Sequence, residues 1–176
     1  MKVIRILDQS ETKLLSDLLN QLILRELVVA ERSVSGLAKK LDSPVLKLWR
    51  RMQKLESAGL IEVSRTQKSG NIETKMYRAT ATSYVPQQFF EFKPKDPLLL
   101  EAFEIYSEFR KRFAALLASS NEIPPGADPV DYSIYASMQA FAKVHGERGV
   151  QQRVSELEQK LSEFKRVEWS PAVSRA

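Results

Sequence analysis

The chain has 176 residues, 43% hydrophobic and 28% charged, enough apolar material to bury a core and too much for global disorder. It has no cysteine and one histidine, His145. That excludes disulfides, thiolate metal sites, cysteine nucleophiles and multi-histidine metal sites, so no metal and no cofactor are expected. Formal net charge is +5, unevenly spread. Residues 1–85 hold 15 Lys/Arg against 9 Asp/Glu, a balance of +6, and residues 86–176 hold the other 12 against 13, a balance of −1. A basic excess confined to one half points to a polyanion-binding surface there. Apolar runs such as Leu98–Leu100 are far too short to span a bilayer. Met1–Arg5 carries charge where a signal peptide has its apolar run. A cytoplasmic, nucleoid-associated protein without membrane contact is expected.

In chain order, Lys2–Leu7 alternates like a strand. Asp8 and Ser10 are helix caps, and residues 11–31 carry leucines at helical spacing in one helix, or in two broken near Ser16–Asn20. Ser35 is the expected N-cap of a helix over Gly36–Leu41, with Asp42-Ser43 as a tight turn. Pro44 opens the next helix, Pro44–Ala58, which ends at Gly59. Leu60–Arg65 and Ile72–Ala79 are strands around a Ser-Gly-Asn hairpin signal in Gln67–Asn71. Residues 83–97, with prolines 86, 94 and 97, make a partly packed connector. Helices follow over about 97–119, 129–144 and 147–166.

Helix, helix, tight turn, helix and two-stranded wing is the winged helix-turn-helix order. The helix 44–58 carries the test of that reading. Advancing about 100° per residue from Lys47, Val45, Leu48, Met52 and Leu55 fall at about 80–160° as a buried stripe. Lys47, Arg50, Arg51 and Lys54 fall at about −60° to +40° as an exposed basic stripe. One face then packs on the domain while the other enters the major groove, where arginine pairs with guanine edges and both cations neutralise phosphates. The bland alternative is an ordinary solvated face. Trp49 and Leu46 lie on a third side, and Trp49 reads as core or interface packing. Lys39, Lys40 and Ser43 sit at the turn, and Arg65, Lys68, Asn71, Lys75 and Arg78 on or beside the wing; these are further candidate DNA contacts.

Val34-Ser35-Gly36-Leu37-Ala38-Lys39-Lys40-Leu41 and Leu55-Glu56-Ser57-Ala58-Gly59-Leu60-Ile61 resemble the ArsR-type winged helix family of prokaryotic regulators. Lys2-Val3-Ile4-Arg5-Ile6 and Lys75-Met76-Tyr77-Arg78-Ala79-Thr80-Ala81 resemble an archaeal branch of it. The resemblance covers about residues 2–85. It implies a dimeric DNA-binding repressor or activator with recognition positions Ser43, Lys47, Arg50, Arg51 and Lys54. Two departures stand out: there are no cysteine ligands for metal sensing, and the turn reads Asp42-Ser43-Pro44-Val45 rather than the commoner polar run.

In the second half, Val150, Val154, Leu157, Leu161 and Phe164 step by four, three, four and three, an a/d seam of roughly two heptads. Leu99, Phe103 and Tyr106 belong to a helix apolar over more than one face. Together these residues form the expected dimer interface, the alternative being an amphipathic helix packed on its own chain. Tyr132, Tyr135, Met138, Phe141 and His145 either line a pocket for an unidentified small-molecule effector or belong to core and interface. No phosphate-cradling glycine loop and no nucleophile–base–acid set is present, so no enzyme is expected.

The expected fold is mainly α with a small β-wing: a winged helix-turn-helix domain over 1–85, a connector over 86–96, an α-helical dimerisation or effector region over 97–168, and a tail over 169–176. The expected function is a homodimeric regulator bound to double-stranded DNA, with helix 44–58 in the major groove and wing 61–79 on the backbone or minor groove. The alternative is a winged-helix protein-interaction module in a larger transcription or chromosome complex.

Overall fold

The computed structural model describes residues 1–69, 72–91, 93–119 and 122–164, with Ser69, Ile72, Leu98, Glu163 and Phe164 known by backbone alone. Strand β1 (Lys2–Leu7) leads to α1 (Gln9–Leu15). A capping box starts α1: the Glu11 N–H donates to the Asp8 carboxylate at 2.8 Å, and the Asp8 N–H donates to the Glu11 carboxylate at 3.0 Å. This satisfies amides that a helix start leaves orphaned.

The leucine-rich stretch is two helices, because Asp17 caps α2 (Leu18–Val29) by accepting the Leu19 N–H at 3.0 Å. Buried Asn20 holds the break together by donating to the Leu14 carbonyl, an orphan at the end of α1, at 2.8 Å. Helix α3 (Val34–Lys40) begins two residues earlier than expected. Its N-cap is Ser33, not Ser35, with the Gly36 N–H donating to the Ser33 hydroxyl at 3.1 Å. Asp42 makes the turn at φ 44°. Pro44 is the N-cap of α4 (Val45–Ser57) rather than its first residue, and Gly59 follows the helix at φ +64°. The wing strands are β2 (Ile61–Ser69) and β3 (Ile72–Ala79), antiparallel with a bulge between Val63 and Arg65. Arg32 adds a third partner to this ribbon: its N–H donates to the Tyr77 carbonyl at 3.0 Å, and the Tyr77 N–H returns the bond at 2.9 Å.

The segment expected to begin a connector is instead strand β4 (Ala81–Pro86), paired in parallel with β1. Helices α5 (Gln88–Glu91), α6 (Pro97–Ser119), α7 (Pro129–Gly146) and α8 (Val150–Phe164) complete the chain. The fold is mainly helical with a small β-wing, a winged helix-turn-helix followed by a helical region.

Two cores hold it. The first joins Leu7, Ile23, Leu24, Leu27, Leu37, Leu48, Met52, Leu55, Leu60 and Tyr77, and fixes α4 against the winged helix. The second packs Val3 and Ile4 of β1 against Leu117, Ala136 and Ala140 of α6 and α7. The β1–β4 pair therefore carries apolar side chains for both halves. Arg5 of β1 ties the end of α4 down: its guanidinium donates to the Gly59 carbonyl, to the Ala58 carbonyl at 2.9 Å, and to Glu11.

Candidate nucleic-acid interface

Helix α4 has the division its sequence implies, with one exception. Leu48, Met52 and Leu55 are fully buried, but Val45 is 53% exposed. Val45 lies in the first turn, where the helix runs out beyond the core, so its angular position does not bury it. Lys47, Arg50 and Lys54 are exposed, and no carboxylate among the described residues pairs with them. Arg51 is half-buried and engaged, its guanidinium 2.7 Å from Asp17 of α2. The other Asp17 oxygen caps α2, so this pair braces α4 against α2.

Lys39 and Lys40 end α3 in solvent. Ser43 is half-buried in the turn, its N–H donating to the Ala38 carbonyl at 3.0 Å. No side chain caps the start of α4, and its first turn holds no acidic residue. The positive end of that helix dipole is therefore unopposed from within its own first turn.

The wing divides differently. Arg65 pairs with Glu31 at 2.8 Å, Lys68 with Glu73 at 2.9 Å and Arg78 with Glu62 at 2.7 Å. The Arg65 hydrogen bond holds the Glu31 carboxyl below the usual carboxylate range, against the opposing effect of burial. Lys75 is exposed, with no ion pair among the described residues. Asn71 lies outside the described residues. Among the described residues, the candidate contacts without a paired carboxylate are thus Lys39, Lys40, Lys47, Arg50, Lys54 and Lys75, concentrated on α3 and α4. Sequence alone marked these residues and their paired neighbours equally, because the pairing acids come from the N-cap of α2, from two residues past its end, and across the hairpin.

The third side of α4 is exposed, which removes the core half of the core-or-interface reading for Trp49. Leu46 is 59% and Trp49 48% exposed; Trp49 is not core, and both flank Arg50. Their wheel positions, off the buried stripe, were the available signal.

The residues expected at a subunit interface mostly meet inside one chain. Val150 is buried, Leu99, Phe103, Val154 and Leu157 are half-buried, and Tyr106 and Leu161 are exposed. Leu99, Ala102, Phe103, Tyr106, Leu157 and Leu161 line a gap of about 140 Å³ between α6 and α8. The Phe164 side chain is outside the described residues. Tyr132, from the suggested effector set, borders a cavity of about 260 Å³ with Leu116, Ala136, Gln139 and Lys143. Tyr135, Met138, Phe141 and His145 do not line it and are exposed. No helix among the described residues is long and apolar enough to cross a membrane, and no cluster of His, Cys, Asp or Glu among them could hold a metal ion.

No family model matches the sequence, and no curated protein matches it either. Among solved structures, the chain is similar to Bacillus subtilis PadR in complex with operator DNA, at 20% identity and a TM-score of 0.32, over 78% of this chain and 96% of that one.

Proposed function

We propose that the protein is a transcription regulator that binds double-stranded DNA as a homodimer, with α4 in the major groove and the wing on the backbone or minor groove. The observation that carries this reading is the exposed face of α4: Lys47, Arg50 and Lys54 stand there with no carboxylate partner among the described residues, on a helix whose opposite face is fully buried. Keeping three like charges together and unneutralised is unfavourable for the free protein, and a phosphate backbone relieves it. Lys47, Arg50 and Lys54 neutralise phosphates, Arg50 also pairs with a guanine edge, and the Val45 N–H and the Ser43 hydroxyl receive another phosphate. Residues 1–85 do the reading, 86–96 connect, and 97–168 hold the partner subunit and any small-molecule effector. The ArsR-type resemblance fits this arrangement, with regulation by something other than thiolate-bound metal.

Selection of bound duplexes from random oligonucleotides, followed by gel-shift titration, tests the reading. Arg50→Ala together with Lys47→Ala should weaken binding to the selected site at least a hundredfold, and unchanged affinity refutes it. A second reading is favoured by the exposure of Leu46 and Trp49: α4 would then dock on a protein. That reading expects no enriched DNA, and loss of a stable heteromeric complex on Leu46→Ala with Trp49→Ala. In the DNA reading the same two side chains meet thymine methyl groups, and their removal relaxes sequence preference.

A further inference from the structure

Helix α7 carries an uncovered apolar face. Val130 is 41%, Ile134 54%, Tyr135 50%, Met138 60% and Phe141 60% exposed, and the Phe141 ring lies against His145 at 4.1 Å between centroids. The steps from 130 to 134, 138, 141 and 145 put these side chains on one stripe, opposite Ala136, Ala140 and Val144, which are buried and face the chain's own core. No charged residue occurs between Asp131 and Lys143. Three turns without charge on the exposed side of a helix are a poor solvent face.

We infer that this face of α7 is where a second copy of the chain docks, the two α7 helices running antiparallel about a two-fold axis near Met138. The inference rests on the homodimer of the proposed function and moves its interface from the α6–α8 seam to α7. Two observations support a second copy as the occupant. The first is area. Tyr and Phe side chains offer on the order of 150–250 Å² each and Val, Ile and Met less, so the exposures above leave roughly 500 Å² of mostly apolar surface per chain. That is near the largest patch a typical monomer shows, and doubled across a two-fold it reaches about the 1,000 Å² a specific interface needs.

The second is self-complementarity. An isologous contact must match its own surface. With the axis near Met138, Ile134 meets the partner's Phe141, Val130 and Asp131 meet the partner's His145, and the two Met138 side chains meet each other. The acidic residue sits at one end of the stripe and the imidazole at the other, so antiparallel pairing brings unlike ends together. Exposed Gln139 on the flank of the stripe, donating to the Tyr135 hydroxyl at 2.5 Å, gives such an interface a polar rim.

The native chain's lack of cysteine makes a single introduced thiol decisive. Oxidised Met138→Cys should run as a covalent dimer on a non-reducing gel, whereas Gln151→Cys on α8 should not. Sedimentation of the unmodified chain should give twice 20.1 kDa. Ile134→Glu with Phe141→Glu, both at exposed positions, should weaken dimerisation at least a hundredfold with the circular dichroism spectrum unchanged. Tyr106→Glu with Leu161→Glu in the seam should leave the dimer intact. A dimeric wild type that neither crosslinks through Met138→Cys nor dissociates with the α7 glutamates overturns this interface and leaves the homodimer standing. A monomeric wild type overturns both.

Discussion

Salt titration separates the free cations from the paired ones. A protein that neutralises Z phosphates releases their counterions, and log K then falls with log salt at a slope of about −0.9Z. If the unpaired cations of the candidate interface, Lys39, Lys40, Lys47, Arg50, Lys54 and Lys75, each meet one phosphate, Z is six per protomer and the slope is roughly −5. Raising salt from about 50 to about 200 mM then costs roughly 10³ in affinity on a half-site. Replacing Lys47 and Arg50 by glutamine removes two contacts, so the slope becomes shallower by about 1.8. Replacing Arg51 and Arg78 by glutamine should change it by less than about half a unit, because Asp17 and Glu62 already neutralise them at 2.7 Å and they release little counterion on binding. Fluorescence anisotropy on a labelled half-site duplex, from low to physiological salt, measures all three slopes. A wild-type slope shallower than about −2, or equal losses from the two double variants, would refute the division of the basic surface into free and engaged groups.

Other consequences concern the frame that holds the helix. The Tyr84 hydroxyl accepts the Thr80 and Ala81 N–H groups, both at 3.1 Å, and donates to the Leu60 carbonyl at 2.7 Å; Tyr84→Phe should cost about 1–3 kcal/mol in chemical denaturation. Gly59 has φ +64°, and a Cβ there would lie 3.3 Å from the Arg5 guanidinium; Gly59→Ala should destabilise by about 1 kcal/mol or more on the same assay. The Glu31 carboxyl titrates below its ordinary value because of Arg65. A depressed folded value means a contribution present above the unfolded value and lost as pH falls through the folded one. Arg65→Gln should raise the Glu31 titration midpoint, as followed by NMR, and flatten the acid limb of stability; an unmoved midpoint would show that the pair does not form in solution.

Local chemistry made much of this fold legible. β1 and α6 have the bounds their patterns imply, because alternation in one and a proline-started apolar run in the other are short-range signals. The capping aspartates Asp8 and Asp128 stand at helix starts for the same reason. β4 escaped because its partner, β1, is some eighty residues earlier, and parallel pairing over that span leaves no local signature. The N-cap went to Ser35 rather than Ser33 because both are serines two residues apart, and what decides between them is where the Arg32–Tyr77 bridge lets the chain leave its extended state. Val45 shows the limit of a helical wheel, which gives direction but not depth.

The same limit explains the site. Charge counting found every cation on α4 and the wing, yet which of them are available was decided by pairing that charge counting does not give: Asp17 for Arg51, Glu31 for Arg65, and Glu73 across the hairpin for Lys68. The result is a surface graded by availability, with unpaired charge on α4 and paired charge on most of the wing. Exposed ion pairs of this kind are worth at most about 1 kcal/mol, so they hold the wing's side chains in place without committing them. A groove that fits α4 can therefore be met first by Lys47, Arg50 and Lys54, while Arg65 and Lys68 exchange carboxylate for phosphate only where the wing comes close. On that ordering, α4 sets affinity and wing contacts adjust it, so charge reversal at Lys54 should weaken binding by more than charge reversal at Lys68.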